Sequence, residues 1–162
     1  FIHVYSEPGK GTTFRIYIPA VETSETRSVE QVRSGDIPLG GGETVLVVDD
    51  EASIREITRS TLETYGYKAL TASDGAEAVS IYSVHRDEIK VIIMDMTMPI
   101  MDGQMSIRAL RRIHPEVRVI FVSGFKDASR AAESYARGSD VFLSKPYTAE
   151  TLLKTLRGVI SG

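Results

Sequence analysis

The chain is predicted to be an α/β protein, a doubly wound five-stranded parallel sheet of (βα)5 type with a β-hairpin in front of it. Three observations predict this. From Glu43 onward, short apolar runs alternate five times with amphipathic stretches, and strands that alternate with helices form a parallel sheet covered on both faces. The runs, such as Val45-Leu46-Val47-Val48 and Val91-Ile92-Ile93-Met94, are continuously hydrophobic, as strands buried on both sides must be. Finally, polar side chains stand where the runs stop: Asp49 and Asp50, Asp95, Ser123 and, after Val141-Phe142-Leu143, Lys145. The carboxyl ends of the strands line one edge of an open parallel sheet, so these residues are expected to converge on one crevice.

Residues 1–19 read as the hairpin. Phe1-Ile2-His3-Val4-Tyr5 and Thr13-Phe14-Arg15-Ile16-Tyr17-Ile18 are rich in β-branched and aromatic residues around Glu7-Pro8-Gly9-Lys10-Gly11, and Pro19 ends the second run. Residues 20–42 are polar, lack a sustained period and finish in Pro38-Leu39-Gly40-Gly41-Gly42, which is the composition of a flexible linker. Residues 43–162 carry the alternating pattern. After the strand at 45–48, Ile54, Ile57, Thr58, Thr61, Leu62 and Tyr65 share a helical face, with Ser53 and Glu56 as a capping box. A strand at 67–72 follows the Tyr65-Gly66 stop, and Asp74 with Glu77 caps a helix running to about Val84. Strands are expected at 91–94, 119–122 and 141–143, and helices at 104–113, 127–137 and 148–159. The helix at 127–137 offers mainly Ala128, Ala131, Ala132 and Tyr135 to a core. So small an apolar stripe predicts a loosely held element.

A chain of 162 residues that is 42% hydrophobic supports one ordinary core with a remainder. The formal charge is −3, with four basic and five acidic residues in 1–42 and fifteen and seventeen in 43–162. Neither part has the basic excess that binding a nucleic-acid backbone needs. Cysteine is absent, which excludes disulfides, zinc–thiolate sites and thiol nucleophiles and fits a reducing cytoplasm. No apolar run approaches the roughly 20 residues of a membrane span, so no membrane contact is expected of this stretch, whether or not a longer parent is anchored. Phe1 is not a start methionine and opens directly into a strand-like run, as in a fragment of a longer protein.

The crevice has a definite chemistry. Asp49, Asp50 and Asp95 brought together repel, and such a triad persists only if a cation or a shared proton relieves it. Magnesium suits carboxylate and carbonyl oxygens; zinc does not fit a site with no histidine or cysteine near it. An Asp95 oxygen could then attack a phosphoryl donor. Lys145 would neutralise the transferring group and Ser123 would donate a hydrogen bond to it, giving an acyl phosphate.

The strings Val47-Val48-Asp49-Asp50-Glu51, Met94-Asp95-Met96-Thr97-Met98-Pro99, Met101-Asp102-Gly103, Val122-Ser123-Gly124 and Ser144-Lys145-Pro146 resemble the motifs of response-regulator receiver domains. The resemblance covers residues 43–162 and implies a flavodoxin-like, receiver-type fold. It further implies Asp95 as phosphoacceptor, Mg2+ held by Asp49, Asp50, Asp95 and the Thr97 backbone carbonyl, Ser123 as switching hydroxyl and Lys145 as phosphate contact. The aromatic three residues before the lysine is Phe142, which cannot donate a hydrogen bond when it turns inward. The family's Lys-Pro bond is typically cis, which is expected for Lys145-Pro146. The stretch from Ser6 to Pro19 resembles the last strands of the ATP-binding domain of sensor histidine kinases. That order implies a hybrid histidine kinase as the parent. The kinase's ATP-binding residues and phosphorylatable histidine are absent from this stretch.

Other motifs are weaker. Gly9-Lys10-Gly11-Thr12 lacks the order of a phosphate loop and sits between strands, and His85-Arg86-Asp87 has none of the companions of a kinase catalytic loop. His3, His85 and His114 read as singletons without partners. An aspartate-nucleophile phosphatase would want a general acid two residues after Asp95, where Thr97 stands. A phosphate-independent interaction module is the other rival. The expected partner is a phosphohistidine donor, either a kinase core or a histidine phosphotransfer protein. Phosphorylation is expected to draw Ser123 toward the phosphoryl oxygens and let Phe142 rotate inward, reshaping the 127–162 face. That face or the hairpin's edges could form a homodimer. Phe125, two residues past Ser123, is expected to slow hydrolysis of the phosphoryl group by shielding it from water.

Overall fold

The computed structural model describes residues 1–17, 37–98, 103–124 and 140–162. The described residues form two units, the hairpin and the part from Ile37 onward. In the hairpin, β1 (Ile2–Glu7) pairs antiparallel with β2 (Gly11–Ile16). The Lys10 amide closes the turn on the Glu7 carbonyl at 3.0 Å, and Gly9 takes the left-handed φ of 78° that its tip requires. The register places Ile2, Val4, Phe14 and Ile16 on one face, all exposed, while Phe1 stacks on Tyr17 with ring centroids 4.6 Å apart.

The second unit is the predicted parallel sheet. Its strands are β3 (Thr44–Val48), β4 (Lys68–Ala72), β5 (Ile89–Asp95), β6 (Val119–Ser123) and β7 (Val141–Ser144). They lie in the order β4-β3-β5-β6-β7, all parallel. The described helices are α1 (Ala52–Thr64), α2 (Gly75–His85), α3 (Gly103–Ile113) and α4 (Ala149–Ser161). Because successive strand residues point to opposite faces, β3 feeds two cores. Leu46 and Val48 join Tyr82, Ile107, Leu110 and Phe121 beneath α2 and α3, whereas Val45 and Val47 join Leu62, Leu152, Leu153 and Leu156 beneath α1 and α4. The continuous apolar runs are explained by this double coverage.

The Asp74 carboxylate caps α2, accepting from the Ala76 and Glu77 amides at 2.8 and 2.9 Å. Glu77 reaches back to the Ser73 amide and hydroxyl, both at 2.7 Å. The capping box expected for α1 does not form. Its N-cap is Glu51, with no side-chain capping bond, and Ser53 already lies inside the first turn, where its hydroxyl is not at the capping position. Glu56 turns instead to Arg59 at 2.7 Å. The buried stripe of α1 is also narrower than its periodicity suggests: Thr58 and Leu62 are buried, but Ile57 is 64% exposed. Periodicity shows which residues share a face, not how far a neighbour covers it.

Two further expectations are corrected. The histidines are not isolated, since His114 Nδ1 lies 2.8 Å from the buried Tyr82 hydroxyl and His85 Nδ1 lies 3.2 Å from Glu88; the His3 ring sits 5.2 Å from that of Phe1. The Gly-rich end of the linker is not a loose tether either. The Gly40 and Gly42 amides bond to the Tyr65 and Gly66 carbonyls at 2.8 and 2.9 Å, and Ile37 packs on the core beneath α1 and α4. The glycines serve close approach here rather than freedom. Pro19, Phe125 and the helix expected at 127–137 lie outside the described residues.

A Cβ on Gly40 would meet the Tyr67 ring at 2.7 Å and the Gly66 carbonyl at 2.8 Å, whereas one on Gly41 would make only ordinary contacts. Gly40→Ala is therefore expected to cost about 1–3 kcal/mol, and Gly41→Ala far less. Urea unfolding of the two variants, read against the unchanged chain, checks this; equal midpoints would show that the strap is not packed in solution.

Candidate functional site

The site lies at the carboxyl edge of the sheet, where β3, β5, β6 and β7 end. Asp95 is the last residue of β5 and Ser123 the last of β6, both 4% exposed. The ladder carries on past the strands: Asp49 donates its amide to Ala72 at 3.3 Å, Met96 to Val122 at 3.0 Å and Lys145 to Ser123 at 2.9 Å. Backbone pairing thus places three strand ends side by side before any side chain acts. Carboxylate oxygens of Asp49, Asp50 and Asp95 fall within 4.8 Å of one another, although Asp49 and Asp95 are 46 residues apart in sequence.

Lys145 holds this edge together. Its Nζ donates to Asp49 Oδ2 and to Asp95 Oδ2, each at 2.8 Å. The other Asp95 oxygen accepts from the Thr97 amide at 2.9 Å and the Thr97 hydroxyl at 2.8 Å. Burial alone would push the Asp95 carboxyl up, but the hydrogen bonds from Lys145 and Thr97 outweigh it and hold the group below the usual range. Burial would lower Lys145, yet the bonds to Asp49 and Asp95 raise it well above an ordinary lysine. The pair is mutually ionised. The Lys145-Pro146 bond is cis, as expected.

The structure brings together Asp49, Asp50, Asp95, Thr97, Ser123 and Lys145 along this edge. Phe142 is set apart from them: it is half-buried on the α2/α3 side, stacked on Phe121 with centroids 5.0 Å apart. Pro99, Met101 and Asp102 of the sequence motifs fall outside the described residues. Two nearby residues went unnoticed in the sequence. Tyr147 packs on the α1/α4 core, where burial pushes its phenol up. Arg55 donates to the Asp49 carbonyl at 2.6 Å. A cation near the start of a helix, against the helix dipole and just after an acidic pair, was the signal available for Arg55.

Three carboxylates and a carbonyl-rich strand edge form an oxygen-only donor set, which suits a hard, strongly hydrated cation such as Mg2+ and not a soft metal. The single ammonium of Lys145 leaves the three carboxylates with a net negative charge, so the pocket can take a divalent cation.

An open parallel sheet with an acidic cluster at its carboxyl edge defines the class, and sequence comparison agrees. Residues 45–157 match the response regulator receiver domain, and the chain belongs to that family, the receiver domains of two-component systems. Over an alignment 173 positions long, gaps included, it is 34% identical to the sensor kinase CckA of Brucella abortus, covering 99% of this chain and 18% of the kinase. The chain therefore spans less than a fifth of that relative. The crystal structure of the receiver domain from the hybrid histidine kinase CckA superposes with a TM-score of 0.61 at 28% identity, covering 72% of this chain and 98% of that one. A CheY of Borrelia burgdorferi, crystallised in complex with CheX, BeF3 and Mg2+, superposes with a TM-score of 0.65 at 28% identity, covering 72% and 87%.

A carboxyl held low by its partners stabilises the fold above its unfolded pKa of about 3.9, and that contribution is lost as pH falls through the lower folded value. In metal-free buffer, acidification from about pH 6 toward pH 3 is expected to destabilise the wild type more than Asp95→Asn. Urea midpoints across this range check it, and parallel pH profiles would show that Asp95 gains nothing from its partners.

Proposed function

We propose that residues 43–162 take a phosphoryl group from a phosphohistidine onto Asp95 and use the modification to switch a protein-interaction surface. One observation carries the reading: Lys145 bridges Asp95 to Asp49 within an acidic cluster at the carboxyl edge of the sheet. In the transfer, an Asp95 carboxylate oxygen forms a bond to phosphorus while the P–N bond of the donor breaks. The electron pair leaves with the imidazole nitrogen, which takes up a proton from solvent. Asp95 suits this role because its depressed pKa keeps the nucleophile ionised at neutral pH. Lys145, already charged and half-buried beside it, supplies a cation for the oxygens of the transferring group. Ser123, buried at the adjacent strand end, supplies a hydroxyl for them. Asp49, Asp50, Asp95 and the Thr97 carbonyl would hold Mg2+, which when bound neutralises phosphoryl charge. The relative crystallised with Mg2+ and BeF3 supports this assignment.

The switch would run from Ser123 through strand β6 to Phe121 and the stacked Phe142 of β7, and so to the surface expected of residues 127–162. A few kcal/mol of bias is enough to invert two populations. Residues 1–19 are assigned as the closing hairpin of a histidine-kinase ATP-binding domain and 20–42 as the linker, whose last residues lie against the receiver. Alignment of nearly the whole chain with a sensor kinase supports a hybrid histidine kinase as the parent, working at the cytoplasmic side of any membrane that parent meets. The phosphatase alternative lacks its general acid: Thr97 occupies that place and directs both its amide and its hydroxyl to Asp95.

Incubation of the purified chain with acetyl phosphate or phosphoramidate is expected to add the mass of one phosphoryl group, only with Mg2+ present and not in Asp95→Asn. Failure of both proteins to gain mass would favour a phosphate-independent interaction module. Asp50→Asn, which removes one candidate ligand and spares the nucleophile, is expected to weaken Mg2+ binding at least tenfold by calorimetry and to slow phosphorylation at limiting Mg2+; unchanged affinity would remove Asp50 from the ligand set.

A further inference from the structure

We propose that Arg55 is the positioning residue of the acidic pocket, a guanidinium clamp that holds the Asp49–Glu51 loop in the shape that lets Asp49 and Asp50 share one divalent cation. The inference deepens the Mg2+-dependent reading of the site and rests on it. Arg55 lies in the first turns of α1, where a cation opposes the helix's own positive end; α1 has no side-chain cap, and the charges available to compensate Arg55 are those of Asp49, Asp50 and Glu51 just before the helix. A residue that breaks a local rule at the edge of a site is expected to be compensated by what it does there.

The compensation is a closed set of hydrogen bonds. Arg55 Nη1 donates to the Asp49 carbonyl at 2.6 Å. The Arg55 amide donates to the Glu51 carbonyl at 3.0 Å, and the Glu51 amide donates to Asp49 Oδ1 at 2.9 Å. Helix and loop are thereby locked to each other on both sides of Asp50, the one exposed member of the triad. Across the edge, Arg55 also faces Glu77 at the start of α2, whose carboxyl is held low first by the Ser73 amide and hydroxyl and only more weakly by Arg55. Arg55 does not act as a second Lys145. Lys145 bonds two carboxylates directly, whereas Arg55 takes a main-chain carbonyl and leaves the carboxylate oxygens to other partners. Hydrogen bonds to charged donors are among the stronger ones, and partners that orient metal ligands govern affinity without touching the metal.

Positioning and simple electrostatics predict opposite results. Removing a nearby cation should tighten Mg2+ binding by Coulomb's law, whereas removing the clamp should weaken it. In the full chain, calorimetric titration with MgCl2 is expected to show Arg55→Met binding about tenfold more weakly than wild type, with Arg55→Lys recovering part of the loss. In metal-free protein, hydrogen exchange at the Glu51 amide is expected to accelerate in Arg55→Met while exchange in β5 stays unchanged. Mg2+ binding by Arg55→Met that equals or exceeds wild type, or unaltered Glu51 exchange, overturns the proposal. A wild-type chain that binds no Mg2+ overturns the metal reading itself, and the Glu51 exchange then decides by itself whether Arg55 orders the loop.

Discussion

Three carboxylates sit at the end of one sheet, and the ammonium of Lys145 divides itself between two of them. Much of the upper edge of the molecule depends on that arrangement. Like charges brought out of bulk water repel strongly, so the cluster tolerates close approach only because Lys145, 50 residues beyond Asp95, reaches back at 2.8 Å to both Asp49 and Asp95. The ion pair ties β7 to β3 across β5 and β6 at the carboxyl end of the sheet. It also leaves net negative charge, which gives the pocket its capacity for a divalent cation.

The opposite edge is held by different means. Arg118, just before β6, donates to the carbonyls of Val159 and Ile160 at 2.6 and 2.9 Å. It thus satisfies backbone groups that the end of α4 leaves without intrahelical partners. Glu43 pairs with Arg157 at 3.2 Å, and the strap at residues 37–42 lies along the α1–β4 turn. The Arg111–Asp140 ion pair, buried on both sides, joins the end of α3 to the residue before β7. These contacts act through main-chain carbonyls and paired charges, whereas the upper edge keeps unmatched charge for chemistry.

Legibility in the sequence followed interaction range. The parallel sheet, its five strands and the cap of α2 were readable because they depend on periodicity and on residues within a turn of each other. The Asp74 carboxylate accepting from the Ala76 and Glu77 amides is an example. The same local logic misplaced the start of α1, since Ser53 and Glu56 form a good capping pattern that was overridden by the loop Asp49 must make to enter the pocket. It also took Gly40 and Gly42 for a tether, because composition cannot distinguish glycines chosen for freedom from glycines chosen for close approach. His114 looked solitary because its partner, Tyr82, lies 32 residues earlier on another helix.

The sequence by itself determined the fold class, the double coverage of the strands and the identities of the acidic, hydroxyl and basic residues at the strand ends, since each is written in spacing along the chain. Which oxygen meets which donor was decided only by the tertiary structure. Lys145 bonds Asp49 and Asp95, Thr97 turns its hydroxyl to Asp95, and Arg55 clamps the Asp49 carbonyl, because hydrogen bonds depend on tenths of an ångström and on angles that arise only when strands far apart in sequence are laid side by side.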